Sequence, residues 1–194
     1  MKWELKLLLL STYLNFFSSG LFLPLYAVFV QSLHGTIFHA GASFGVYMLT
    51  AGIVVFIFGK LEDKILDKRK MLCVGYFFLC LGPLAYIFVT SIPLLYAVQV
   101  LNAIGVGIFT PAWKSLYSKD EDIGREAEEW ALVDGGDMIL ISIAAILGGF
   151  LVNWYGFRML FLLMFFAQVV SFCFCLQILW KKEKKQKKKM SKKK

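Results

Sequence analysis

The chain has 194 residues, of which 59% are hydrophobic and only 18% charged, and its mean hydropathy is +0.68. Soluble domains hold roughly 45–50% apolar residues, so a water-soluble globule is excluded. The formal charge is +8, but residues 181–194 hold ten Lys against one Glu, which leaves the rest of the chain at −1 and without the basic face that nucleic acid requires.

A bilayer core takes about 20 apolar residues per helix, and charges punctuate six runs of that length: residues 7–30, 41–59, 71–90, 92–113, 130–152 and 157–180. They predict an all-α membrane protein, with a six-helix transmembrane domain over residues 1–180 and a Lys-rich tail over 181–194. Lys2 and Lys6 ahead of the first run have the look of a secretory signal, yet the run continues to Val30, too long for a signal core, and reads as an uncleaved first span. The longest polar stretch, residues 114–129, is the one place for a small cytoplasmic helix. Lys and Arg divide 20 to 1 between alternate connections, with Arg158 alone on the sparse side. Cytoplasmic loops carry the excess, so both termini are expected in the cytoplasm of a cell whose plasma (inner) membrane holds the protein. His34 and His39 then fall in the first external loop, as interfacial residues.

Polar side chains are expensive in lipid and tend to face a bundle interior or a water-filled cavity. Ser11, Asn15 and Ser18 share a face of the first span, Ser43, Tyr47 and Thr50 one of the second, Gln99 and Asn102 one of the fourth, and Asp134 and Asp137 one of the fifth. Asn15, Gln99 and Asn102 read either as cavity lining or as ordinary bonds between helices. Asp134 and Asp137 are solvated, paired with Lys114, or, for the deeper Asp137, a proton-titrating carboxylate. The pairs Gly41/Gly45 and Ala144/Gly148 mark close helix packing. Cys73, Cys80, Cys173 and Cys175 lie inside apolar runs without metal-ligand spacing and read as packing residues. No triad, H-E-x-x-H or phosphate-loop pattern appears, so no enzyme, metal or cofactor is expected.

Three anchors repeat at a near-constant offset. Gly20-Leu-Phe-Leu-Pro24 matches Gly107-Ile-Phe-Thr-Pro111, Gly59-Lys-Leu61 matches Gly149-Phe-Leu151, and Lys70-Met71-Leu72 matches Arg158-Met159-Leu160. Two copies of a three-helix unit follow, and because three is odd, the copies enter the membrane from opposite sides as an inverted repeat.

The loop from Gly59 through Asp63 and Lys64 to Lys68-Arg69-Lys70 resembles the cytoplasmic signature G-x-L-x-D-R-x-G-R-R-K of the major facilitator superfamily, and it lies in the matching place between the second and third spans. Gly105 to Trp113 and Leu147 to Phe161 are similar to that family's fourth helix and fifth-to-sixth connection. Family members have twelve helices in two halves, so this chain resembles the N-terminal half alone. The resemblance implies that Gly59, Asp63, Lys64, Lys68 and Arg69 gate the cytoplasmic side, with Gly59 allowing close backbone approach and the cations pairing with Glu126, Glu128 and Glu129. It also implies that helices one, two, four and five line a solute path, from which Gln168 and Ser171 in the sixth depart. Leu101 stands where proton-coupled drug exporters of the family carry Arg, so no antiport through that position is implied.

The function expected is alternating-access transport of a small solute, with a homodimer of six-helix halves replacing the missing half and the tail binding anionic lipid at the bilayer surface. The alternatives are a non-transporting membrane module and a piece of a twelve-helix carrier.

Overall fold

The computed structural model describes residues 3–62, 64, 67–122 and 124–191, with residues 62, 120 and 181–191 described by backbone alone. Among them there is no strand. The first apolar run forms α1 (Trp3–Phe22), a 3-10 turn over Leu23–Leu25, and α2 (Tyr26–Ser32). Pro24 causes the turn, because it has no N–H to return to the preceding helical turn. A bend at His34, whose φ is 60, leads into α3 (Ile37–Glu62). α4 (Lys68–Tyr86) is N-capped by the Asp67 carboxylate, which accepts from the Arg69 backbone N–H at 3.3 Å. α5 (Ile92–Asp120) starts with Pro93 in its first turn, and α6 (Glu126–Ser191) follows.

Two expected boundaries moved. Among the described residues of 114–129 there is no separate helix, because α5 runs on to Asp120 and α6 begins at Glu126. The connection expected after residue 152 is the single residue Gly156, whose φ of 75 breaks α6 into arms of residues 126–155 and 157–191. Only glycine adopts that conformation without strain. Four helical stretches are long and apolar enough to cross a membrane: Trp3–Ser32, Ile37–Leu61, Ile92–Lys119 and Glu126–Trp180. α4 is not among them, and Lys68, Arg69 and Lys70 occupy its first turn.

Small residues set which helices touch. A Cβ on Gly20 would stand 2.9 Å from the Ile141 Cα, and one on Gly148 would overlap the Leu21 carbonyl, so α1 lies directly on the first arm of α6. Gly75 brings α4 onto the Phe109 backbone of α5, and Gly107 brings α5 onto Val54 of α3. Ser18 donates to Met164 O at 3.1 Å and Ser171 to Ser11 O at 2.6 Å, fastening α1 to the second arm of α6 as well. Two apolar cores result. One holds Leu5, Leu72, Tyr76, Trp113 and Tyr117; the other holds Leu21, Phe22, Val30, Leu95 and Phe161.

Candidate functional site

A cavity of about 290 Å³ opens among α1, α3, α4, α5 and the second arm of α6, beside the second core. The Pro24 turn delivers Tyr26 to its wall, the end of α4 supplies Tyr86, and the start of α5 supplies Gln99 and Asn102. Phe22 packs edge-on to Tyr26 at 5.6 Å and to Tyr86 at 5.0 Å, so these rings form one aromatic corner. Among the described residues no Asp, Glu, Lys, Arg or His lines the cavity.

A neutral hydrogen-bond chain orders the wall. The Ser43 hydroxyl donates to His39 O at 2.6 Å, which leaves Tyr26 to donate to Ser43 Oγ at 2.5 Å. Gln99 Nε2 donates to Tyr26 Oη at 2.6 Å, and Tyr86 Oη donates to Gln99 Oε1 at 3.2 Å. Asn102 Nδ2 turns back to Val98 O at 3.1 Å, and its side chain fills the room that Gly82, without a Cβ, leaves open. Gln168, on the second arm of α6, also lines the cavity. Its Nε2 donates to Asn15 Oδ1 at 2.7 Å, while its Oε1 is buried without a hydrogen-bond partner.

Of the residues expected to face a solute path, Gln99 and Asn102 are on this wall and Asn15 stands behind it, holding Gln168. Asp137 is elsewhere, on the first arm of α6 near Tyr13, which covers Gly136 and donates to Leu132 O at 2.6 Å; Asp137 is 9% exposed and its Oδ1 has no hydrogen-bond partner. Ser11 is spent on packing, donating to Leu8 O at 2.8 Å and accepting from Tyr76 at 3.0 Å. Tyr47, on the polar face expected of the second span, also lines the cavity, whereas Tyr26 and Tyr86 belonged to no polar face in the sequence. Gln168 was visible as a polar residue that broke the pattern.

The expected gating loop is partly described. Asp63 lies outside the described residues, and Lys64 is exposed with its backbone N–H on Leu61 O at 3.0 Å. Lys68 donates to Ser115 on α5. Arg69 pairs with Glu4 of α1 at 2.5 Å, not with the glutamates at the start of α6. Those are engaged locally: Glu126 accepts from Gly124 N at 2.8 Å, Glu128 holds Arg125 at 2.7 Å, and Glu129 accepts from Asp122 N at 3.2 Å. The loop N–H groups of Gly124 and Asp122 and the Arg125 guanidinium thus occupy these carboxylates, and the Arg69 partner is Glu4 instead. Gly59 faces open space, and no backbone among the described residues approaches it. All four cysteines are free, and the buried Cys73 and Cys175 bring their Sγ atoms to 3.0 Å between α4 and α6.

Residues 8–194 match the family model of the Major Facilitator Superfamily. The chain belongs to that superfamily. It is therefore an integral membrane protein of a transporter family. An uncharacterized MFS-type transporter of Bacillus subtilis, YitZ, is 25% identical over 146 residues, covering 75% of this chain and 88% of its own length. The MFS-type transporter MJ1560 of Methanocaldococcus jannaschii is 24% identical over 181 residues, and the multi-drug resistance efflux pump PmrA of Streptococcus pneumoniae 26% over 180. The chain spans 47% and 44% of those two proteins, about half of each. The crystal structure of the POT family transporter PepTSo superposes with a TM-score of 0.73 at 15% identity, over 91% of this chain and 38% of that one, a likeness of fold.

Proposed function

We propose that the chain crosses the plasma membrane six times, with both termini cytoplasmic, and moves a small solute by alternating access as a homodimer of six-helix halves. The cavity carries this reading, because it opens among five helical segments and sets several uncharged polar groups on a mainly apolar and aromatic wall. In this reading α2 extends the first span, α4 is the third, and Gly156 is the hairpin between the fifth and sixth. An inverted repeat is supported by packing: Gly20 meets Ile141, and Gly107 meets Val54, each partner displaced by the same offset as the two glycines. The α3–α4 connection, with Gly59, Asp63, Lys64, Lys68 and Arg69, is the cytoplasmic gate, tied to α1 through Glu4 and to α5 through Ser115. Asp137 is the residue assigned to carry a coupling proton, as a carboxylate buried within a span with one oxygen that has no hydrogen-bond partner. The Lys-rich tail binds anionic lipid.

A homodimer is favoured by the match to YitZ over 88% of its length, and by glycines on α3 that face open space. The chain's coverage of about half of MJ1560 and PmrA favours a second reading, in which a different six-helix unit covers the same face. Reconstitution into liposomes with a broad solute panel, together with crosslinking of Gly45→Cys on α3, is the trial. Flux with crosslinked dimers is expected. Flux from strictly monomeric protein overturns the homodimer, and crosslinks without flux of any solute favour a non-transporting module.

A further inference from the structure

We infer that Cys73 and Cys175 are an oxidation site: a peroxide joins them in a disulfide that fastens α4 to the second arm of α6, and a thiol reductant releases it. The inference stands apart from the transport reading and from the cavity.

Three levels of contact hold the two helices in register around the pair. In the first turn of α4, Arg69 pairs with Glu4 of α1 at 2.5 Å. One turn on, Cys73 of α4 and Cys175 of α6 bring their Sγ atoms to 3.0 Å. One turn further, Tyr76 donates to Ser11 Oγ at 3.0 Å and Ser171 donates to Ser11 O at 2.6 Å, so α1 ties both helices at that level. Advancing from Cys73 to Tyr76 on α4 means stepping back from Cys175 to Ser171 on α6. The two helices therefore run antiparallel here, and neither slides past the other without breaking a bond to Ser11. A disulfide needs sulfurs about 2.05 Å apart, so the pair stands about 1 Å from bonding distance, a gap that small side-chain rotations close. Among the described residues no such contact joins Cys80 or Cys173 to another sulfur.

Hydrogen peroxide is a small, uncharged oxidant, and it enters an apolar bundle without bringing a charge. Cys73 is 7% exposed and Cys175 1%, and Cys73 lies one turn inside the cationic start of α4, so Cys73 meets the oxidant first. Its sulfur attacks one peroxide oxygen, the O–O bond breaks, and the thiol proton leaves with the other oxygen as water. The Cys175 sulfur then attacks the Cys73 sulfur, the S–O bond breaks, and the second proton leaves with that hydroxyl as a second water. Two sulfurs lose two electrons, and the peroxide gains them. Burial slows the first step, while the second is fast because the attacking sulfur already stands beside its target. Cys173 is exposed and meets peroxide sooner, but with no thiol beside it the oxidation ends at an acid. In a reducing compartment the Cys73/Cys175 pair stays open.

The test treats the full chain in nanodiscs with hydrogen peroxide, then denatures it, alkylates the remaining thiols and maps the linked peptides by mass, with the thermal midpoint measured before and after oxidation. A Cys73 to Cys175 linkage that dithiothreitol reverses is expected. The two cysteines are 102 residues apart in sequence, and a bond closing so long a loop should raise the midpoint by roughly 5–10 °C. The variant Cys80→Ala with Cys173→Ala should keep both responses. Cys175→Ser should lose both and leave Cys73 as a sulfenic acid that dimedone traps. If Cys175→Ser does not fold, the linkage map of the unaltered chain decides. Cys73 and Cys175 still open to alkylation after peroxide, linkage of either to Cys80, to Cys173 or to a second copy, or a linkage that leaves the midpoint unchanged overturns the inference.

Discussion

Two glycine-bearing faces of this molecule have opposite surroundings. Where α1 meets the first arm of α6, Gly20 and Gly148 are pressed against the backbones of Ile141 and Leu21, with no room for another carbon. On α3, Gly41, Gly45, Gly52 and Gly59 have nothing among the described residues within 4 Å of where a Cβ would stand, although they fall on one stripe of the helix. Burial follows the same division. The apolar window of α3 is 11% buried, against 44% for that of α5. A glycine in a membrane helix thus marks a place where a second backbone can come close, but only the packed structure tells whether this chain supplies that backbone or leaves the place open.

The sharpest way to break the comparison is to put a side chain on each face. Gly148→Leu forces bulk into the Leu21 backbone and should cost roughly 3 kcal/mol or prevent folding, seen as a large fall in the thermal midpoint of the detergent-solubilised protein. Next in size is the link between α1 and α4. Glu4→Gln leaves the Arg69 guanidinium without its charged partner, in a pair whose side chains are only 16% and 25% exposed. A loss of about 1–2 kcal/mol in chemical unfolding is expected, and the swap Glu4→Arg with Arg69→Glu should restore part of it.

Within the cavity, Tyr26→Phe removes the hydroxyl between Ser43 and Gln99. It should cost about 1 kcal/mol of stability, measured by the same unfolding curve. The smallest effect belongs to the open face: Gly45→Leu should change the stability of a single copy by less than about 0.5 kcal/mol. A fall as large as that of Gly148→Leu would show that the α3 face is already covered within one chain.

Local sequence carried the helices and the membrane character, because apolar run length and charge punctuation act over short stretches of chain. It also carried the superfamily, through the loop around Gly59 to Lys70 and the segments near Gly105 and Gly148. It offered residues 114–129 as a place for a small helix, and there α5 continues until Asp120 because polar composition alone does not end a helix. It also missed the role of Gly156: one residue at positive φ makes a break that the apolar pattern suggested would take several.

The candidate site was half legible. Gln99 and Asn102 declared themselves as polar residues in an apolar run, on one face of one helix. Tyr26, Tyr86 and Gln168 meet them only because the Pro24 turn, the end of α4 and the second arm of α6 converge there. The partner of Arg69 was likewise decided in space, since Glu4 is 65 residues away in sequence and the glutamates at the start of α6 were engaged by the loop before it and by Arg125. The sequence by itself determined an apolar, helical membrane chain of the Major Facilitator Superfamily, because hydropathy and a contiguous signature are local properties. Only the tertiary structure decided which polar groups share a wall, which acceptor stays unsatisfied and which glycines are filled, because each depends on what another helix brings to within a few ångströms.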